Sequence, residues 1–126
     1  MLQRVFAREV GLHRGRLASI PGPRLVAMFD GPGRAVRCGR SVASALSSHA
    51  SLSIRGGVHI GECAPAATCA PVIDLSGALA DAANAGDVMV SRTVVDLVHG
   101  SGLQFEERQT IEDVPRDRRI QTFAVI

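Results

Sequence analysis

The chain has 126 residues, of which 46% are apolar and 21% charged, and its net charge is +2; this is the size and composition of one globular domain with a modest core. Balanced charge and few aromatic residues (four Phe, no Trp or Tyr) argue against a nucleic-acid partner, and no apolar run approaches the ~20 residues of a membrane span. Three cysteines and an N-terminus without signal-peptide features favour a reducing compartment, so we expect a cytoplasmic protein that contacts no membrane.

The N-terminal part of the chain is predicted to fold into a helix followed by two strands. Residues 2–10 carry apolar side chains at helical spacing, which predicts an amphipathic helix ending near Gly15. A short strand at residues 16–20 leads into a turn at residues 21–23, where two prolines remove backbone donors. The uninterrupted apolar run at residues 25–29 then predicts a strand buried on both faces.

The middle of the chain contains the strand with the clearest pattern. After a predicted helix at residues 35–47, apolar side chains alternate along residues 52–62 with the period of a strand. Gly56, Gly57 and Gly61 weaken such a strand, since they contribute no side chain to the packing. Their presence indicates that another part of the protein approaches this backbone closely.

The C-terminal half is predicted to contain two helices and three strands. In chain order these are a helix at 71–85, a strand at 88–90, a helix at 92–98, and strands at 103–105 and 120–126. Ser91 is suited to cap the second helix. The alternating charges of residues 106–119 indicate solvated surface. Helices and strands alternate along the chain, which favours an α+β or α/β class.

Four segments together resemble the class III adenylate/guanylate cyclase homology domains, above all those of the actinobacterial type. They read LHRGR, LVAMFDGPGRAVRC, GVHIGE and GDVMVSRTVVDLVHGSGLQFEER. The resemblance covers most of the chain and implies an α+β fold: a ferredoxin-like cyclase homology fold that lacks its first strand and has extra C-terminal strand and helix elements. Residues 1–126 would then form a single, partial domain.

The resemblance also implies where cyclase chemistry would be located. Cyclases of this class are dimers with an active site across the subunit interface, where two aspartates hold two divalent cations. The chain has no counterpart of the first aspartate, which usually lies in a Phe-Thr-Asp-Ile strand. The second corresponds to Pro23, whose side chain offers no ligand oxygen. We therefore expect neither a metal site nor a metal cofactor.

The remaining cyclase positions are also altered. The purine-binding lysine corresponds to Ser19, and the other purine contact falls near Ala67. The Asn and Arg that stabilise the transition state correspond to Asp74 and Ala78. Because losing one such stabiliser typically costs ~100–1000-fold in rate, we expect this chain alone to contain no catalytic residues and to lack cyclase activity.

Arg24 and Asp74 are the weak candidates for contact with a nucleotide. Arg24 follows the turn and would meet a phosphate, or it would be an ordinary solvated arginine. Asp74 is predicted in the first turn of its helix, where a carboxylate gains ~0.3–1 kcal/mol from the helix dipole without any ligand.

The cysteines and one histidine allow a metal-site hypothesis. There are three alternatives: Cys63, Cys69 and His59 bind a metal ion, the two cysteines form a disulfide, or they are ordinary small residues. The spacing between Cys63 and Cys69 differs from that of a structural zinc knuckle. For His59 we favour a hydrogen-bonded residue near an interface over a catalytic base. Cys38 is expected to be a buried apolar residue.

The missing first strand has a structural consequence. In the fold that the resemblance implies, this strand lies between the strands predicted at residues 24–30 and 52–62. Its loss leaves two backbone edges unsatisfied in the core. We therefore expect either direct pairing of these two strands or a strand donated by another chain.

Three functions follow from these observations. The first is a catalytically inactive dimerisation or regulatory module, as a homodimer or as a heterodimer with a cyclase-type chain, with at most weak nucleotide binding. The second is a subunit of an active heterodimer that converts ATP or GTP to a cyclic nucleotide. The third is a truncated relic without activity of its own.

Overall fold

The computed structural model describes residues 2–20, 22–50, 53–61, 69–113 and 118–126. Within these ranges the helices are α1 (Leu2–Leu12), α2 (Pro32–Ala50), α3 (Ala70–Ala82) and α4 (Arg92–Leu97). The strands are β1 (Arg16–Ala18), β2 (Val26–Met28), β3 (Gly56–Val58), β4 (Val88–Ser91), β5 (Phe105–Asp113) and β6 (Arg118–Val125). The expected mixture of helices and strands is confirmed.

The described strands form two separate sheets. Strands β1 and β2 make an antiparallel hairpin in which Leu17 is paired with Ala27. The other four strands are ordered β3-β4-β6-β5, with β3 and β4 parallel and the remaining pairs antiparallel. In this larger sheet β4 is an interior strand, and all four of its residues are buried.

Helices cover both faces of the larger sheet. Val90 and Phe123, which are paired across β4 and β6, pack on one face against Val36 of α2 and Val94 of α4. On the opposite face, Met89 and Ala124 form a similar pair that packs against Leu79 of α3 and Ala83, the residue that follows α3. A third cluster joins α1 to α2 through Val10, Cys38, Val42 and Leu46, with Ala27 and Phe29 of the hairpin packed against it. The result is a three-layer arrangement with α2 and α3 on opposite sides.

Local sequence explains where two helices begin. α2 starts at Pro32, three residues earlier than predicted, because proline is well suited to a first helical turn. α4 is capped as predicted: the backbone N–H of Val94 donates to Ser91 Oγ.

The glycine-rich strand is approached by α3, as the sequence indicated. A Cβ on Gly57 would overlap with the carbonyl oxygen of Ser76 and lie 2.7 Å from the backbone nitrogen of Ala80. Glycine at this position therefore allows the backbones of β3 and α3 to pack directly against each other.

The predictions for two of the strands were wrong. Among the described residues the strand predicted at 52–62 is reduced to Gly56–Val58; residues 52 and 62 lie outside the described ranges. The polar stretch predicted after residue 105 is instead the nine-residue strand β5, paired with β6. The backbone of β5 is hydrogen-bonded to β6, while the side chains of Glu106, Glu107 and Glu112 are exposed. The charge pattern therefore predicted the solvated side chains correctly but not the pairing of the backbone.

No helix in the described part of the chain is both long enough and apolar enough to cross a membrane.

Candidate functional site

A cleft lies between the two sheets. It has a volume of about 690 Å³ and lies between β2 and β3. Cys38, Gly39 and Val42 of α2 line it, and so do Val72, Ser76 and Ala80 of α3. Because α2 and α3 pack on opposite faces of the larger sheet, the cleft lies where a continuous sheet would run between the two helices. We call it the inter-sheet cleft.

The strand order rules out one of the two expectations for the gap between the predicted strands. Direct pairing of the two predicted strands was wrong, because β2 pairs with β1, β3 pairs with β4, and the two belong to different sheets. The physical reason is that α2 connects β2 to β3 as a crossover that leaves room for a strand between them, the arrangement of a split β-α-β unit. Donation of a strand by another chain stays a prediction.

The strands beside the cleft are incompletely covered. All residues of β2 and β3 are only partly buried, whereas the adjacent β4 is buried throughout. In the described part of the chain, β2 and β3 each have one strand partner, on the side away from the cleft. Considering the described residues alone, both therefore present an unpaired backbone edge to the inter-sheet cleft.

Arg24 joins the hairpin to α3 beside the cleft. Its guanidinium donates to the carbonyl oxygen of Gly77 at 2.9 Å and to Asp81 Oδ2 at 2.7 Å. Arg24 is therefore an exposed arginine, but it is not simply solvated. It is bound to a backbone carbonyl and a carboxylate of α3. A phosphate at Arg24 would have to compete with Asp81.

Asp74 is exposed on α3 and is not brought together with Arg24, whose two recorded partners lie further along the helix. The expectation that Asp74 occupies the first turn was wrong. α3 begins at Ala70, one residue earlier than predicted, and its first turn contains no acidic residue. Asp74 therefore lacks the close approach to the helix N-terminus that a favourable dipole interaction requires.

The other positions singled out by the cyclase resemblance lie near the hairpin and α3. Ser19 and Pro23 are exposed in the connection between β1 and β2, where Gly22 adopts a positive φ of 99°. Ala78 is partly exposed on α3, and Ala67 lies outside the described residues. Within the described ranges no group of three or more His, Cys, Asp or Glu side chains is arranged to hold a metal ion.

His59 is hydrogen-bonded, as expected. Its Nδ1 lies 2.8 Å from Ser91 Oγ, the same oxygen that accepts the Val94 N–H at the start of α4. Burial, together with the positive charge of Arg118, lowers the pKa of His59 below its ordinary value. This distance fits a neutral imidazole whose Nδ1 accepts a hydrogen bond from the Ser91 hydroxyl. Ser91 is itself buried, so this pair lacks the access that a nucleophile needs.

Cys38 is buried, as predicted, and burial with the nearby charge of Glu9 raises the pKa of its thiol to about 11. Cys69 is also buried, at the residue that precedes α3. Cys63 lies outside the described residues, so the metal and disulfide hypotheses for this region keep the status of predictions.

Sequence reasoning missed the contact of Arg24 with α3 and the bond between His59 and Ser91. Both join residues far apart in the chain, by 57 positions for Arg24 and Asp81 and by 32 for His59 and Ser91. No local pattern reports such pairs. The only available signal for the second was that His59 shares a strand face with glycines.

Solved structures with a similar fold include nucleotide cyclases. An adenylate/guanylate cyclase/hydrolase from Silicibacter pomeroyi is 15% identical, with a TM-score of 0.78 over 98% of this chain and 79% of its own. The adenylyl cyclase CyaB from P. aeruginosa is 16% identical, with a TM-score of 0.73 over 99% and 80%. The dimeric guanylyl cyclase domain of the RhoGC fusion protein from the aquatic fungus Blastocladiella emersonii is 10% identical, with a TM-score of 0.69 over 99% and 80%.

No protein-family model and no curated protein matches the sequence. At these identities the likeness to solved structures concerns the fold, and on that level it agrees with the resemblance in the sequence motifs. The chain has the fold of the class III adenylate and guanylate cyclase domains.

Proposed function

We propose that this chain is a catalytically inactive cyclase-like domain that acts by binding another polypeptide, as a dimerisation or regulatory module. The observation that carries the proposal is Pro23, which stands in the connection between β1 and β2 at the position that matches a metal-binding aspartate. A proline side chain has no oxygen with which to bind a divalent cation. Pro23 therefore cannot contribute a ligand to the two metal ions that activate a ribose hydroxyl in such a site.

The state of Arg24 supports the same conclusion. Its guanidinium already binds Gly77 and Asp81, so the arginine that follows Pro23 in the chain is partly neutralised by a carboxylate. Ala78 stands at the position that matches the arginine of the transition-state pair, and a methyl group does not stabilise phosphate charge. The remaining scaffold is suited to binding rather than to catalysis.

A dimeric or heterodimeric assembly is part of this proposal. The comparison structure from Blastocladiella emersonii is a non-canonical dimer. Two leucines of the hairpin region, Leu17 and Leu25, offer exposed apolar surface, and Leu25 also lines the cleft. Sedimentation of the purified chain tests this: we expect a concentration-dependent dimer, alone or with a cyclase-type partner. If the chain sediments as a monomer at every concentration and does not bind the cyclase-type partners tested, the dimer part of the proposal is contradicted.

Catalytic inactivity is tested by incubating the chain with ATP or GTP and Mn²⁺, and by titrating the same nucleotides in a calorimeter. We expect no cyclic nucleotide above the background of a buffer control and at most weak nucleotide binding. An active cyclase domain in the same assay sets the sensitivity. Cyclic nucleotide formation that disappears in an Arg24→Ala variant, but persists in the exposed-arginine control Arg34→Ala, would overturn the proposal.

A further inference from the structure

A second concavity lies between the end of α1 and one face of α2, and it shares no lining residue with the inter-sheet cleft. Its volume is about 590 Å³, within the roughly 300–1,000 Å³ that is usual for small-molecule sites. The α2 residues that line it follow one another mainly at steps of three or four, which places them on one helix face. We call it the α1–α2 pocket; its polar lining residues are His13, Arg37, Arg40, Ser41, Ser44 and Ser48.

The face of α2 that lines this pocket differs from an ordinary solvated helix face. α2 contains no Asp or Glu, so it has no ion pair of the kind that joins Arg92 to Asp96 within α4. Three of the lining positions are serines, which are less favourable inside a helix than Ala, Glu or Lys. Residues that oppose the local structure in this way are expected at functional positions.

The two arginines of the pocket carry positive charge that no ion pair neutralises. Within the described part of the chain, Arg40 has neither an ion pair nor a hydrogen bond. Arg37 donates from Nη2 to the carbonyl oxygen of Ser101 at 3.0 Å, a contact that restrains its guanidinium without cancelling the charge. No acidic residue is among the described residues that line the pocket. The pocket therefore offers two guanidinium groups, which are well suited to binding phosphate.

The orientation of His13 follows from its contact with the backbone of α1. Its Nδ1 lies 2.8 Å from the carbonyl oxygen of Glu9, and because a carbonyl can only accept, Nδ1 carries a proton. The other ring nitrogen, Nε2, is thus left for a ligand. The carbonyl oxygens of Glu9, Val10 and Gly11 each already accept a backbone N–H, so these ends of α1 do not present bare carbonyls to an anion.

These groups match a phosphate ester with a hydroxylated organic part. A phosphate monoester carries about −1.5 to −2 charges and three acceptor oxygens near neutral pH, which fits two guanidinium groups. The lining runs from Arg37 to Ser48, roughly 16 Å along the helix axis, which is longer than a bare phosphate. Serine hydroxyls both donate and accept hydrogen bonds, as sugar hydroxyls do. Ala45 is the one apolar residue in the described lining, so a purine ring would find little surface on which to stack.

We propose that the α1–α2 pocket binds a phosphate ester of a polyhydroxylated small molecule, such as a sugar phosphate. Arg37 and Arg40 bind the phosphate, and the serine hydroxyls of α2 and Nε2 of His13 bind the hydroxyl groups. This inference does not rest on the proposed function, since the pocket includes neither Pro23 nor Arg24. The cyclase assay and the titrations below measure the two separately.

Calorimetric titration with glucose 6-phosphate, ribose 5-phosphate and glycerol 3-phosphate tests the ligand class, with glucose and inorganic phosphate as references. We expect at least one ester to bind with a Kd below about 1 mM. It should bind at least tenfold more tightly than inorganic phosphate, and glucose should not bind. If none of the three esters binds, or if inorganic phosphate binds equally well, the proposal is overturned. Binding only to vesicles that contain phosphatidylinositol 4-phosphate would also overturn it, because the ligand would then be a membrane headgroup.

A pair of variants tests the location. Ser44→Asp places a carboxylate in the pocket one helical turn from Arg40, and it should weaken ester binding at least tenfold by repelling the phosphate and pairing with that arginine. Ser47→Asp adds the same charge at an exposed position of α2 outside the pocket, and it should weaken binding less than about threefold because solvent and salt screen it. An equal loss in both variants would reveal only general charge attraction and would overturn the proposal.

A second pair of variants keeps the test decisive if Ser44→Asp does not fold. Arg40→Gln removes an exposed guanidinium of the pocket and should weaken ester binding at least tenfold. Arg34→Gln removes an exposed guanidinium of the same helix outside the pocket and should leave the affinity unchanged. Thermal unfolding of each variant verifies its fold. Unchanged ester binding in Arg40→Gln would contradict the site.

Discussion

The carboxylate of Asp81 lies 2.7 Å from the guanidinium of Arg24 and so ties the hairpin to α3 beside the inter-sheet cleft. Both side chains are largely exposed, at 44% for Arg24 and 68% for Asp81. Water and salt screen such a pair, so its geometry says more about where Arg24 is held than about stability. The relationship matters because Arg24 was the sequence candidate for a phosphate contact.

Replacing Asp81 with Asn should lower the free energy of unfolding by less than about 1 kcal/mol, as is usual for exposed ion pairs. Urea denaturation measures the change. Asp96→Asn is the matched control, because Asp96 makes a similarly exposed pair with Arg92 at 3.2 Å within one helix. The two variants should be equally mild. A loss of several kcal/mol in Asp81→Asn alone would mean that this contact holds the hairpin in place.

The packing of β3 against α3 makes a sharper prediction at the glycines. Gly57→Ala should destabilise the fold by at least ~1–3 kcal/mol, because the added Cβ would overlap with backbone atoms of Ser76 and Ala80, which cannot move independently of their helix. Gly56→Ala is the control. Its Cβ would meet the Val88 side chain at 3.3 Å, and that side chain can shift slightly. Thermal or urea unfolding of both variants tests the difference, and equal destabilisation would contradict the close approach of α3.

Gly56 and Gly57 show how much of the packing of β3 could be predicted from the sequence. Three glycines in a strand pattern predicted a close backbone approach, and the apolar run at residues 25–29 predicted a buried strand. Neither pattern identified the approaching element, because such contacts depend on how distant segments pack. β2 has the sequence of an interior strand, yet its residues are only partly buried, and among the described residues it has a strand partner on one edge only.

The candidate site was predicted in part. The resemblance of local motifs directed attention to Pro23, Arg24 and Asp74, and the structure places Pro23 in the connection between β1 and β2 and Arg24 directly after it. The resemblance could not predict that the carboxylate bound to Arg24 is Asp81 rather than Asp74. The choice depends on where α3 begins and which of its turns faces the hairpin, and both are set by packing.

His59 gives the fold a specific pH dependence. In the folded protein its pKa is lowered by burial and by Arg118, while in the unfolded chain it takes the ordinary value of 6.5. Above that pH both states carry a neutral imidazole and the histidine is without effect. As the pH falls below 6.5, the unfolded state binds a proton first, so stability decreases until the folded-state pKa is passed.

His59→Gln should therefore reduce the loss of stability between neutral and mildly acidic pH. Urea denaturation of both proteins across this range measures the effect as the difference between the two pH profiles. Glutamine retains the capacity to bond Ser91 Oγ, so the comparison isolates the proton. Parallel profiles, or a steeper decline in the variant, would contradict a lowered pKa for His59.

Cys38 should react slowly with alkylating reagents as long as the chain is folded. Its thiol pKa of about 11, against an ordinary 9.0, lowers the thiolate fraction roughly 100-fold at neutral pH, and the thiolate is the reactive species. Burial, at 3% exposure, slows the reagent further although Cys38 borders the cleft. Timed labelling with iodoacetamide and peptide mass spectrometry measures the rate, with labelling in urea as the reference. Glu9→Gln removes the lesser cause of the raised thiol pKa and should accelerate labelling modestly. If the native protein were labelled at the rate seen in urea, Cys38 would be neither buried nor of raised pKa.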